Sequence, residues 1–461
     1  MDPRASNRST AEHDVDSVLH PYTNLIRHPE VGPLVITRGD GVRVYDDQGR
    51  DYIEGLAGLW CTSLGWGEER LVEAAANQMR KLPFYHLFSH KTHDPAVELC
   101  RRLLDMAPVP MSKVFLAGSG SEANDTAIKL IHYRANALGL PAKKKIIARD
   151  KAYHGVTVAT ASLTGLPVNH RSFDLPIPGV LRAGCPHHYR FGRPGESEED
   201  FSTRLAAELE TLILAEGPDT VAAFFAEPVM GAGGVIVPPA GYFPKIQAVL
   251  DRYDILLVAD EVICGFGRTG NMFGTETFGI RPDIMTLAKG LSSGYLPISA
   301  LLVNQRVYGP VAEESGRIGV FGHGFTYGGH PVSAAVAIET LKIYEERDIL
   351  AQVRRVGPAL QAGLSSFRDH PLVGEVRGIG LIGALELVAD KAAKTPFPPA
   401  MTVGARVVAK AQSHGVILRA MGDTVAFSPP LIISETEIAE MLRRFRLALD
   451  EAHGELTTAK S

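Results

Sequence analysis

The chain has 461 residues, 45% of them hydrophobic, and a formal net charge of -5 at pH 7. Cores stop growing near roughly 250–300 residues, so one long domain plus a smaller one is expected. The mild charge, the lack of a long basic run and the lack of any apolar run near the ~20 residues of a membrane span argue against nucleic-acid and membrane partners.

The polar stretch Met1–Asp16, with Glu12, Asp14 and Asp16, reads as a mobile arm. It lacks the apolar core of a signal peptide and the arginine-rich character of a transit peptide. Cys61, Cys100, Cys185 and Cys264 are scattered without metal-ligand or framework spacing, which suits free thiols and a cytoplasmic location. Short β pieces at Val35-Ile36 and Val42–Tyr45, with Asp46–Gly49 as the turn, predict a hairpin. A helical period follows over Leu71–Leu82. The runs Val114–Leu116, Ile146–Ala148, Val221–Ala226, Ile255–Ala259 and Ile284–Leu287 are almost wholly apolar, as strands buried on both faces of a mainly parallel sheet must be. Helical stretches such as Glu122–Ala137 and Phe201–Ala215 lie between them, so the fold class is α/β with a doubly wound sheet. After Gly329 come a helix over Val332–Glu346, β runs at Leu381–Leu387 and Gly415–Leu418, and an amphipathic C-terminal helix. The expected division is an arm and joining segment over 1–60, a large domain over 61–330, and a small α+β domain over 331–461.

Two residues end apolar strands: Asp260 after Leu257-Val258-Ala259, and Lys289 after Leu287-Ala288. Open α/β sheets bind ligands outside the carboxyl ends of their strands, so both side chains should enter one crevice. A desolvated lysine there becomes a nucleophilic amine. An aspartate there can keep a pyridinium nitrogen protonated, which makes the ring an electron sink. Either residue alone is as readily a helix cap or a solvated charge. A third element, Ala117-Gly118-Ser119-Gly120-Ser121-Glu122-Ala123-Asn124, follows a strand and opens a helix. Its glycines admit close backbone approach and its free N–H groups suit a phosphate. Ser119 and Glu122 also have capping-box spacing. The same stretch matches G-x-G-x-x-A, with Asp150 after the next strand, so a dinucleotide oxidoreductase is a rival reading. That rival leaves Asp260 and Lys289 without a task.

Gly118–Asp125, Leu257–Gly270, Leu287–Leu291 and Gly324–Pro331, in that order, resemble the class III aminotransferases, fold-type I pyridoxal 5'-phosphate enzymes. The resemblance runs from about Leu34 to the last helix. Leu59-Trp60-Cys61, Leu82–Tyr85, Leu175–Gly179 and Leu418–Asp423 are most similar to the ω-transaminases, or amine–pyruvate aminotransferases. The resemblance implies that Lys289 carries the cofactor as a Schiff base and shuttles a proton, and that Asp260 pairs with the pyridine nitrogen. It further implies that Tyr153 and Val262 cover the two ring faces, that Gly120 and Ser121 bind the phosphate, and that Thr326 reaches that phosphate from the other subunit of a homodimer. Glu227 would be a supporting acid or a plain strand-end carboxylate. Trp60 would wall the substrate pocket. Arg419 would grip a keto-acid carboxylate through its bidentate fork and swing out for amines that have none. Gly328 departs from the family pattern, which often has serine there.

The reaction so implied is ping-pong transamination from a primary amine or ω-amino acid to a keto acid such as pyruvate. An aminomutase of the same fold is the runner-up, since it would need no external acceptor. A carrier that binds the cofactor without turnover is a third reading.

Overall fold

Side chains on both faces of the central strands point into apolar layers, and every residue of Val221–Ala226, Leu256–Asp260, Ile284–Leu287 and Ser299–Val303 is buried. This is the burial that continuous apolar runs require. The computed structural model describes residues 9–458. Its seven-stranded sheet has the order Lys113–Ala117, Ser299–Val303, Ile284–Leu287, Leu256–Asp260, Val221–Ala226, Lys145–Arg149, Val180–Ala183. Only Ser299–Val303 runs antiparallel to its neighbours. Helices cover both faces. Gly120–Ala137 packs on one face with Ala127, Ile128 and Ile131 against Ile146, Phe225 and Val258. Glu198–Glu216 and Tyr242–Arg252 cover the other, around Phe201, Phe224 and Leu250. Each fully buried large apolar side chain contributes roughly 1.5–3 kcal/mol.

Ile36–Asp40, Arg43–Asp46 and Asp51–Glu54 form an antiparallel meander. The predicted hairpin is present, but its turn is Gly41-Val42. Residues 47–50 make the next turn, into a third strand the sequence reading did not find. Gly415–Leu418 shortens to Val416–Ile417 and pairs in parallel with Ile53 and Glu54, which ties the N-terminal segment to the C-terminal one. A separate antiparallel sheet holds Val373–Ile379, Ile382–Leu387, Thr424–Phe427 and Arg419–Met421. The helix Pro331–Glu346 packs on Glu69–Lys81 and Asp94–Met106, and one continuous apolar core joins it to the C-terminal helix Glu435–Thr458.

The expected mobile arm is corrected in part. Thr10–Ser17 is a helix, because Ser9 and Glu12 close a capping box that satisfies donors at both ends of its first turn. The part of the expected arm over residues 1–8 lies outside the described residues. Among the described residues, no helix is long and apolar enough to cross a membrane.

Candidate active site

Because six of the seven strands point the same way, the loops at their carboxyl ends converge. Gly118–Ser121 follows Lys113–Ala117, Lys151–Gly155 follows Lys145–Arg149, Glu227 follows Val221–Ala226, and Lys289 follows Ile284–Leu287. Together with Asp260 they enclose a cavity of about 190 Å³, lined by Gly120, Ser121, Asn124, Tyr153, His154, Gly155, Glu227, Asp260, Val262, Ile263, Ala288, Lys289 and Leu59.

Asp260 is 4% exposed. Its Oδ2 accepts from Asn124 Nδ2 at 2.7 Å and from His154 Nδ1 at 2.8 Å, and its Oδ1 accepts from the Val262 N–H at 3.1 Å. A carboxylate only accepts, so His154 carries its proton on Nδ1. The carboxylate offers about four acceptor sites, and one remains for a donor in the cavity. Asn124 is fixed in turn by donating to the His154 carbonyl at 2.9 Å. His154 rests edge-on against Phe225, with centroids 5.8 Å apart.

Lys289 has φ 47°, a left-handed conformation that side chains with a Cβ rarely adopt. Its loop position and this backbone aim the side chain into the cavity. Burial lowers the pKa of its amine, against the opposing pull of Asp260. The desolvated amine is therefore readily uncharged, as a nucleophile and proton carrier must be.

Glu227 is 4% exposed and accepts from the Tyr153 and Gly231 backbone N–H groups, each at 3.0 Å. Burial raises its pKa. It fixes the backbone of Tyr153, whose ring lines the cavity. Ser119 caps the helix Gly120–Ala137 by accepting from the Glu122 N–H at 3.2 Å, and Glu122 accepts from the Gly118 N–H at 2.7 Å. The cap is real, yet Gly120 still opens onto the cavity. A Cβ there would stand 3.1 Å from Val262 Cγ2, and one at Gly155 would stand 2.6 Å from Ser121 Oγ. The two glycines thus leave room at a helix N-terminus that attracts anions. A desolvated lysine, a held carboxylate, a flat ring and a phosphate cradle together fit a pyridoxal 5'-phosphate molecule.

Four sequence-predicted positions lie outside this lining. Trp60 is 3% exposed and packs with Val229, Val235 and Ile263, so it stands behind the wall that Leu59 and Ile263 present. Arg419 opens the strand Arg419–Met421, away from Val416–Ile417, with its guanidinium 5.9 Å from the Tyr22 ring centroid. No carboxylate among the described residues pairs with it. Thr326 is exposed, in a groove with Gly118, Ser119 and Tyr327. At Gly328 a Cβ would come within 2.6 Å of the Leu116 carbonyl oxygen, so this loop has no room for a side chain there.

Sequence reasoning gave no role to Asn124 or His154. Asn124 lies four residues after Gly120 on the same helix, and that spacing puts both on one face. Tyr22 was also missed. It accepts from Asn169 Nδ2 at 2.6 Å, and it adds to burial in raising the pKa of the Tyr153 phenol.

Comparison with known proteins agrees with this geometry. The family description "Aminotransferase class-III" matches residues 26–449. A gamma-aminobutyrate transaminase 1, mitochondrial, from Solanum lycopersicum is 53% identical over 99% of this chain and 88% of its own length. A gamma-aminobutyrate transaminase 1, mitochondrial, from Oryza sativa subsp. japonica is 50% identical over 100% and 90%. The crystal structure of an omega transaminase from Pseudomonas jessenii in complex with PMP superposes with TM-score 0.95 at 59% identity, covering 96% of this chain and 98% of that one. These matches overturn the dinucleotide reading of Gly118–Ala123. The chain belongs to the class III aminotransferases, fold-type I enzymes that transfer amino groups with pyridoxal phosphate.

Proposed function

We propose that this enzyme moves amino groups from primary amines or ω-amino acids to pyruvate, working in a reducing compartment as a homodimer with shared active sites. The observation that carries the acceptor is Arg419. Its guanidinium has no carboxylate partner among the described residues, stands beside Tyr22, and is close enough to influence both Tyr153 and Lys289. An unpaired half-buried arginine at a cofactor pocket suits a carboxylate substrate. The gamma-aminobutyrate and omega transaminases similar to this chain support amines that bear the nitrogen away from any carboxylate. The four free cysteines suit a cytoplasmic setting. In this reading residues 1–60 belong with the small domain over 331–461, and 61–330 form the cofactor-binding domain.

Bound in the cavity, pyridoxal phosphate supplies an electron sink beside the substrate nitrogen. Lys289 would hold it covalently, and its amine would carry the proton of the donor carbon as a general acid–base. Asp260, gripped by Asn124 and His154, would keep the ring nitrogen protonated. Tyr153 and Val262 cover the ring, and Glu227 sets the position of Tyr153. Gly120 and Ser121 hold the phosphate. Ile263, backed by Trp60, would give the substrate an apolar wall.

Arg419→Ala tests the acceptor. A charge-assisted hydrogen bond contributes roughly 1.5–3 kcal/mol, so the apparent KM for pyruvate should rise about 10–100-fold. The half-reaction with an uncharged aryl amine should change far less. The halves are followed separately, by bleaching the cofactor band with amine alone and restoring it with pyruvate alone. Equal losses in both would assign Arg419 to the fold. Turnover that persists without any keto acid would mark an aminomutase.

The shared site gives a second expectation. Thr326 and Tyr327 are exposed on the single chain, and Phe84, Tyr85 and Phe88 expose aromatic surface on it as well. Sedimentation should find a dimer, and Thr326→Ala should release cofactor on dialysis about 10-fold faster, having lost one bond to a charged phosphate. A fully active monomer would exclude this arrangement.

A further inference from the structure

The segment before the first strand has little apolar reason for its shape. The helix Thr10–Ser17 buries no residue, and Val18, Leu19, Leu25, Ile26 and Val31 are exposed. What gathers the segment is a knot of three side chains. Asp14 Oδ2 lies 2.8 Å from His20 Nε2 and 2.9 Å from His28 Nε2, and the two imidazole centroids are 4.2 Å apart. All three are half-buried, at 19%, 27% and 11% side-chain exposure. No lysine or arginine among the described residues pairs with Asp14. The molecule has one other cluster of this composition among the described residues, His187, Glu375 and Glu386. There Arg377 bonds both carboxylates and Arg190 bonds Glu386, so arginines already fill the place of a cation.

We propose that Asp14, His20 and His28 form a binding site for a divalent transition metal of the zinc class. Two imidazole nitrogens and one carboxylate oxygen, with a fourth position open to water, are a zinc ligand set. Bonds of ~2.0–2.1 Å in a tetrahedron separate ligand atoms by ~3.3 Å, so the two Asp14–imidazole spacings need open only by a few tenths of an ångström, and all three ligand atoms already lie within 4.8 Å of one another. The ion takes the Nε2 lone pair of each imidazole, any proton there passing to Nδ1 or to solvent, and no oxidation is required. The loop the ion closes runs from Asp14 to His28 and carries Tyr22. That residue accepts from Asn169 Nδ2 and lies under the Arg419 guanidinium, 5.9 Å from its ring centroid. The metal is thus a structural clasp that fixes the segment over the mouth of the site.

The test uses untagged holoenzyme, stripped with chelator and dialysed against Zn²⁺. Metal content should reach one ion per chain above that of the His20→Ala/His28→Ala variant, whose affinity should be at least about 100-fold weaker. Asp14→Asn, which keeps the shape of the side chain, should bind about 10-fold more weakly. Zn²⁺ should slow amide hydrogen exchange over residues 10–31 in the parent and not in the double variant. Equal zinc content in parent and double variant would overturn the proposal. So would a parent that binds no zinc, since the knot would then be held by hydrogen bonds alone.

Discussion

Replacing Lys289 by alanine should abolish transamination, lowering turnover by more than about 10⁴-fold. Positioned acid–base catalysis alone contributes about 10²–10⁴-fold, and this side chain is also assigned the covalent anchoring of the cofactor. The parent protein should be yellow, with a band that borohydride bleaches, and peptide mapping should place the reduced adduct on Lys289. The variant should show neither property. Alanine at φ 47° keeps a strain that lysine already bears, so the melting temperature should barely move. Added methylamine should restore part of the proton transfer without restoring the anchor. An adduct mapped to any other lysine would remove the assignment, whatever the activity of the variant.

The central strands were legible because burial on both faces demands unbroken apolar runs. Val221–Ala226 and Ile284–Leu287 have the bounds that such runs mark. Their carboxyl ends located Asp260 and Lys289 before any coordinates. Ser299–Val303 was not among the predicted strands. The chain reverses there, and only tertiary pairing makes it a strand. Arg419 follows the predicted run Gly415–Leu418, but the chain leaves one sheet and enters another within two residues, a break that no periodicity records. Trp60 shows the complementary limit. Its apolar character was plain in the sequence, yet whether a tryptophan faces a pocket or backs the wall depends on Val229, Val235 and Ile263, distant in sequence. Tyr22 lies between the expected arm and the predicted hairpin, in a stretch to which the sequence assigned no element. Its bond with Asn169 depends on the fold bringing a residue more than a hundred positions away against it.

Asp260→Asn should leave the covalent bond at Lys289 intact and still cut turnover by at least about 10²–10³-fold, the usual scale for losing one preorganised electrostatic partner. The amide matches the carboxylate in shape but carries no charge with which to hold a proton on the ring nitrogen. Its oxygen should occupy the Oδ2 position, because Asn124 Nδ2 and His154 Nδ1 both donate there. The NH₂ then faces the Val262 N–H, and two donors meet where one bond stood. Leaving a buried donor unsatisfied costs roughly 1–3 kcal/mol, so the melting temperature should fall as well. Two measurements separate that structural cost from the chemistry. Borohydride should still reduce the adduct on Lys289, and the bleaching of the cofactor band by amine should slow far more than the stability loss explains. Near-normal turnover in this variant would show that the carboxylate does not serve the ring nitrogen. The grip of Asn124 and His154 on it would then be a packing feature of the strand end.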